Sequence, residues 1–299
     1  MGPKKNLLSY KKNLSLGFLA MSLLSCSALG QWWYDRLDVY LANYFFKYAD
    51  FSNEQKSYIR SVTKDYLEWN STSEIPKYRN LIIKFRNLDA TTTTVDIRRI
   101  FKEGKSLFEA SNNFFTPHIV SFCKTLTEKQ VEEINLFFTK RIEGWRESLE
   151  ESKDQSQEES ITESVQRLAK FLGVKLDDKQ LKTIRDLAKE IKEEDTSSIE
   201  RQDTWNKGLI TILRGKDSQD FNLFLTDHLN SLLDSEQRGN REAVYHKIIA
   251  STLASLNEAQ RKKYEKRLKV FVSSFTIILA PYFFFNSGSS LFTIRFKKI

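Results

Sequence analysis

The chain has 299 residues, 40% of them hydrophobic and 29% charged, with a mean hydropathy of -0.47; this balance argues against a polytopic membrane protein and suits a folded body large enough for one large core or two modest ones. Half of the formal charge of +8 comes from Lys4, Lys5, Lys11 and Lys12, all ahead of the first acid, Asp35, and the rest of the chain is near balance, so no nucleic-acid partner is indicated. The two cysteines, Cys26 and Cys123, exclude a disulfide framework.

The first element is a targeting segment. A basic stretch, an apolar stretch from Leu14 to Leu24 and then Leu23-Leu24-Ser25-Cys26 read as a signal peptide over residues 1–25. The small residue before cysteine resembles a bacterial lipobox, with Leu24 a departure from the smaller residues usual there. The resemblance implies diacylglycerol on Cys26, cleavage before it, and attachment to a membrane through the lipid. Residues 13–34 are uncharged and long enough to span a bilayer, but serines and glycines dilute them. Ser27 after the cysteine resembles an outer-membrane sorting signal, which implies a protein held at the outer membrane and facing the periplasm. Trp32 and Trp33 follow closely enough to be candidate membrane contacts, the alternative being that they belong to the core of the first helix.

Residues 26–280 are expected to form an all-α domain, a multi-helix bundle in one or two lobes. Only Pro76 and Pro117 interrupt Ser27 to Ala280, and no sustained alternation suggests strands. Apolar residues recur at steps of three and four: Val131, Ile134, Phe138, Ile142; then Leu181, Ile184, Leu187, Ile191; then Tyr264, Leu268, Phe271. One pattern occurs four times, a capping residue followed three positions later by glutamine: Ser52 and Gln55, Thr127 and Gln130, Asp177 and Gln180, Asn257 and Gln260. Each predicts a helix start with a capping box. Their separations are too irregular for a solenoid of equal repeats. Helix boundaries are also expected at Ile75-Pro76, at Thr91 to Thr94 and at Gly173. The polar runs 147–160 and 192–203 read either as loops between helical lobes or as solvated helix faces. Residues 281–299 form an apolar tail of unassigned role, beyond Pro281.

These segments together resemble an uncharacterised family of proteobacterial lipoproteins, a domain of unknown function. The resemblance rests on "YDRLDVYLANYFFKYADFSNEQ", "EWNSTSEIPKY", "LTEKQ", "KFLGVKLDDKQ", "RQDTW" and "LNEAQRKKYEKRL", in that order. Asn70 stands where the family commonly has histidine, so no role of that histidine transfers, and the family brings no catalytic residues to carry over. The Leu-Thr-x-x-Gln turn also resembles Spy/CpxP-type periplasmic proteins, which implies an ATP-independent chaperone or stress regulator as an alternative.

Chemistry is sparse in the sequence. His118, His228 and His246 lie outside any metal-ligand spacing, and there is no Gly-rich phosphate loop or nucleophile elbow. No metal or cofactor is expected. Cys123 reads as a small apolar helix residue. Asp38, near Asp35, is expected to serve structural hydrogen bonding. An enzyme would need a site assembled from distant residues such as Asp38, Asp50 and His118. The expectation is therefore a non-enzymatic, membrane-tethered periplasmic lipoprotein of unknown molecular activity, acting through protein binding or envelope maintenance, with unidentified envelope partners.

Overall fold

The computed structural model describes residues 36–151, 156–192, 196–231 and 240–274, and Cys26, Trp32, Trp33 and the 281–299 tail lie outside the described residues. The described chain is all-α, with no strand among those residues. Its helices are α1 (Leu37–Phe45), α2 (Asn53–Trp69), α3 (Ile75–Arg86), α4 (Thr94–Cys123), α5 (Glu128–Glu150), α6 (Gln157–Phe171), α7 (Asp178–Ala188), α8 (Thr196–Arg214), α9 (Phe221–Ser231), α10 (Arg241–Ala254) and α11 (Glu258–Ser274). A π-turn, Asn70–Glu74, joins α2 to α3 without a break. None of these helices is long and apolar enough to cross a membrane.

Local chemistry sets the boundaries. Capping boxes open α2 at Ser52, α4 at Thr93, α5 at Thr127, α6 at Ser156 and α7 at Asp177. Asn257 and Gln260 make the same two bonds at α11, at 3.0 and 2.9 Å. Within the polar run 147–160, α5 continues to Glu150 and α6 begins at Gln157. In the second run, α8 begins at Thr196. The periodic set that reaches Ile191 overshoots α7, which ends at Ala188, although Ile191 stays buried. Gly173 ends α6 with φ of 81°. The Val174 N–H returns to Ala169 O and the Gly173 N–H to Lys170 O, the double bond that a left-handed residue permits after a helix. Pro117 lies inside α4, on its exposed face, and lacks the N–H that would bond the carbonyl one turn earlier.

Two cores organise the packing. The first gathers Ala42 of α1, Ile59 of α2, Val120 and Cys123 of α4, Val131 and Ile134 of α5, and residues of α8 and α9. The second gathers Ile97 of α4 with residues of α6, α7, α10 and α11, and Ile82 and Phe85 of α3 pack against it. Each core therefore mixes helices from both halves of the sequence.

The mixing follows a rule. In the first half, α1 packs on α2; in the second, α6 packs on α7. The last helix of each half packs on a middle helix of the other, α5 on α8 and α11 on α3. The chain is built as two similar units that exchange their middle helices, so neither core closes without both.

Helix α11 also closes the ends of its neighbours. The Arg261 guanidinium donates to Leu88 O just past α3, at 3.0 Å, and to Leu253 O of α10, at 2.9 Å. Tyr264 donates to Phe85 O at 2.7 Å, and Arg267 Nε to Phe171 O at the end of α6, at 3.2 Å. Three helix C-termini, each with unpaired carbonyls and partial negative charge, thus meet side chains of one basic helix.

Candidate functional site

The four capping glutamines come together in two pairs. Gln55 Nε2 donates to Gln130 Oε1 at 3.0 Å and Gln130 Nε2 to Gln55 Oε1 at 2.7 Å. Gln180 and Gln260 do the same at 3.0 and 2.9 Å. Each amide spends its second donor on the backbone carbonyl five residues before its partner: Thr125 and Asp50 in the first pair, Ser255 and Lys175 in the second. Each Oε1 also accepts the N–H of its own cap residue. All four side chains are buried, and every polar atom is used, as burial requires. These are architectural joints, and they show the two-unit plan at the level of single bonds. The sequence signal was present: the glutamines of a pair lie 75 and 80 residues apart, two similar spacings within an irregular series.

A second polar cluster has the opposite character. Tyr66, Asn70, Glu74 and Tyr78 follow one another at steps of four along α2, the π-turn and α3, and all are buried. At about 100° per residue, twelve residues of α-helix would turn the last of these about 120° away from the first. The extra residue in a π-turn takes back about 100°, so all four face the interior. Opposite them on α4, the Tyr66 hydroxyl meets Ser111 Oγ at 3.2 Å, and Ser111 in turn donates to Leu107 O. Burial, with Tyr66 and Glu74 nearby, raises the Tyr78 phenol above its ordinary range.

Polar atoms in this cluster go unused. Glu74, 1% exposed, accepts from Lys77 Nζ at 2.6 Å through Oε1, while its Oε2 has no hydrogen-bond partner among the described residues. Asn70 is fully buried, and neither its nitrogen nor its oxygen has one. Each such atom costs about 1 to 3 kcal/mol. Local expense of this kind, on a π-turn, marks the junction as the candidate site. It offers one carboxylate acceptor and a carboxamide able to donate and accept, under a cover of Leu37 and Leu41 from α1 and of Trp69, Phe114 and Phe115 around Tyr66.

The other candidate residues do not converge. Asp50 bonds Lys56 at 3.5 Å, and its backbone N–H bonds Glu133. His118 Nδ1 lies 3.4 Å from the Tyr58 hydroxyl. Asp38 Oδ1 is buried and makes no hydrogen bond among the described residues. His228 stacks on Trp205 at 4.7 Å, and its Nε2 donates to Trp205 O at 2.9 Å while Trp205 donates back to His228 O. His246 is 2% exposed, with Nε2 3.9 Å from Glu242, and burial lowers its pKa. Cys123 sits in the first core, where burial pushes its thiol up to about 12. Among the described residues no group of three or more His, Cys, Asp or Glu could hold a metal ion.

Comparison with known proteins agrees with the reading of an uncharacterised family. The family of unknown function DUF6279 matches residues 47–239, and the chain belongs to it. No curated protein and no solved structure matches the chain. The matched region contains the candidate site and three of the paired glutamines but ends before α10 and α11, which complete the second core.

Proposed function

We propose that this member of the DUF6279 family is a lipoprotein, cleaved before Cys26 and held at the outer membrane with its helical body in the periplasm, where it serves envelope maintenance by binding proteins and is not an enzyme. The observation that carries the reading is the short distance from the lipobox cysteine to the folded body. Ten residues separate Cys26 from Leu37, the first residue of α1, and they span at most about 35 Å. Helix α1 buries Leu37, Leu41 and Ala42 and turns Val39 and Tyr40 outward, 53% and 49% exposed. A body on so short a tether works in a thin layer beside the bilayer, at high effective concentration toward other envelope proteins. Two or three acyl chains, at about 0.8 kcal/mol per buried CH₂, suffice to hold it there.

The test has two parts. Acyl labelling in cells should mark the native chain and be abolished by Cys26→Ser, with the precursor left uncleaved; labelling that survives the substitution overturns the anchor. Photocrosslinking from Val39 in intact cells should capture one or a few envelope proteins. A broad spread of unfolded clients would turn the reading to a chaperone instead.

A further inference from the structure

We propose that the C-terminal end of α11, with the groove it forms against the end of α3, is a docking face for an anionic phospholipid bilayer, separate from the Cys26 anchor. Helix α11 carries six basic residues and two acidic ones. Arg261 and Arg267 are occupied in closing neighbouring helices. Lys262, Lys266 and Lys269, with Arg86 from α3, line a surface hollow of about 660 Å³ that also contains Asp89 and Glu265. The Asp89 carboxylate, bonded by the N–H and hydroxyl of Thr91 at 2.8 and 2.6 Å, keeps its negative charge, and Lys262 is paired with Glu258 at 2.6 Å. Arg86, Lys266 and Lys269 still outnumber Asp89 and Glu265 around the hollow.

The same end of α11 also bears apolar surface, Val270 next to Lys269 in sequence and Phe271 on the flank that meets Phe171 of α6. Phe171 and Val270 are 38% and 45% exposed. The rings of Phe171 and Phe271 stack at 5.3 Å, and the Arg267 guanidinium lies over both, 5.6 and 4.9 Å from their centroids. Cations beside exposed aromatic and aliphatic groups match a headgroup layer, where phosphates take the charges and the rings reach the acyl boundary. The sequence continues in the same sense: from this end of α11 the chain enters residues 275–294, which carry no charge and are rich in Phe, Ile and Leu, followed by Arg295, Lys297 and Lys298. An acidic protein would match the lysines but has no use for that apolar continuation, so the bilayer is the partner the surface fits.

The test uses the full chain carrying Cys26→Ser, so its outcome is independent of lipidation. A polarity-sensitive fluorophore is placed at Val270→Cys, or at Leu136→Cys on α5 as a control; buried Cys123 stays unlabelled. The probe at residue 270 should respond to vesicles of phosphatidylcholine with added phosphatidylglycerol, far less to phosphatidylcholine alone, and lose its response at high salt, while the probe at residue 136 should stay unchanged. Each lysine near an anionic surface contributes about fivefold in affinity, so Lys266→Gln with Lys269→Gln should weaken binding about 25-fold. Equal response to both vesicle types, equal response at both positions, indifference to salt or the lysine substitutions, or a response to polyglutamate with none to vesicles would each overturn the proposal.

Discussion

Gln55 and Gln130 meet head to tail, each carboxamide donating to the other, with 75 residues of chain between them. Replacing either by Leu strands the amide of its partner and a backbone carbonyl, at a cost of about 2 kcal/mol. Losses within a pair should not add: the Gln55→Leu, Gln130→Leu double variant should cost about 1 kcal/mol less than the two singles together. Gln55→Leu and Gln180→Leu, which act in different pairs, should add to within about 0.5 kcal/mol. Urea denaturation of the singles and doubles decides it, and additivity within a pair would mean that the glutamines act alone.

Asn70 should respond in the opposite direction. Its buried carboxamide finds no hydrogen bond among the described residues, so Asn70→Leu, close in volume, should raise stability by about 1 to 2 kcal/mol. The same denaturation experiment reads it. A loss in its place would show that the carboxamide is satisfied in solution and would remove the strongest mark of the candidate site.

The buried imidazole of His246 ties stability to pH. Burial, helped by Arg98 and opposed by Glu242, sets its folded pKa below the ordinary 6.5. Above that value both folded and unfolded chains hold it neutral, and its contribution is complete. As pH falls through about 6.5, the unfolded chain takes up a proton that the folded one resists, and stability declines. Thermal melts at stepped pH between about 7 and 5 should show a shallower decline for His246→Leu than for the native chain. Parallel curves would refute the assignment.

Gly208 is required by its neighbour. A Cβ built there would lie 2.7 Å from Cε1 of His228, a ring fixed by its stack on Trp205 and its bond to Trp205 O. Ala within a helix ordinarily gains about 1 kcal/mol over Gly. Here overpacking of about 1 to 3 kcal/mol should outweigh that gain, and Gly208→Ala should lower the melting temperature. An increase would show that the ring moves aside freely.

The helices and their starts were legible because capping chemistry and apolar spacing are local. Ser52, Thr127, Asp177 and Asn257 could be read as caps within four residues of sequence each. The pairing of Gln55 with Gln130 was not, since a capping glutamine looks the same whether its spare amide faces water or another glutamine. The exchange of α3 and α8 between the units left no local trace, because an amphipathic helix does not specify which core it covers. The stripe from Tyr66 to Tyr78 escaped for a different reason: steps of four drift off a face in an ordinary helix, and only the π-turn restores them. The order of "EWNSTSEIPKY" marked the segment, but not the inward direction of Asn70 and Glu74.

Helix α4 carries a mechanical consequence. Ile97 near its start belongs to the second core, Val120 and Cys123 near its end to the first, and its 30 residues extend about 45 Å. A single rod is the wall of both interiors, so heat has no softer lobe to melt ahead of the other, and strain applied at either end of the molecule is felt at the far end.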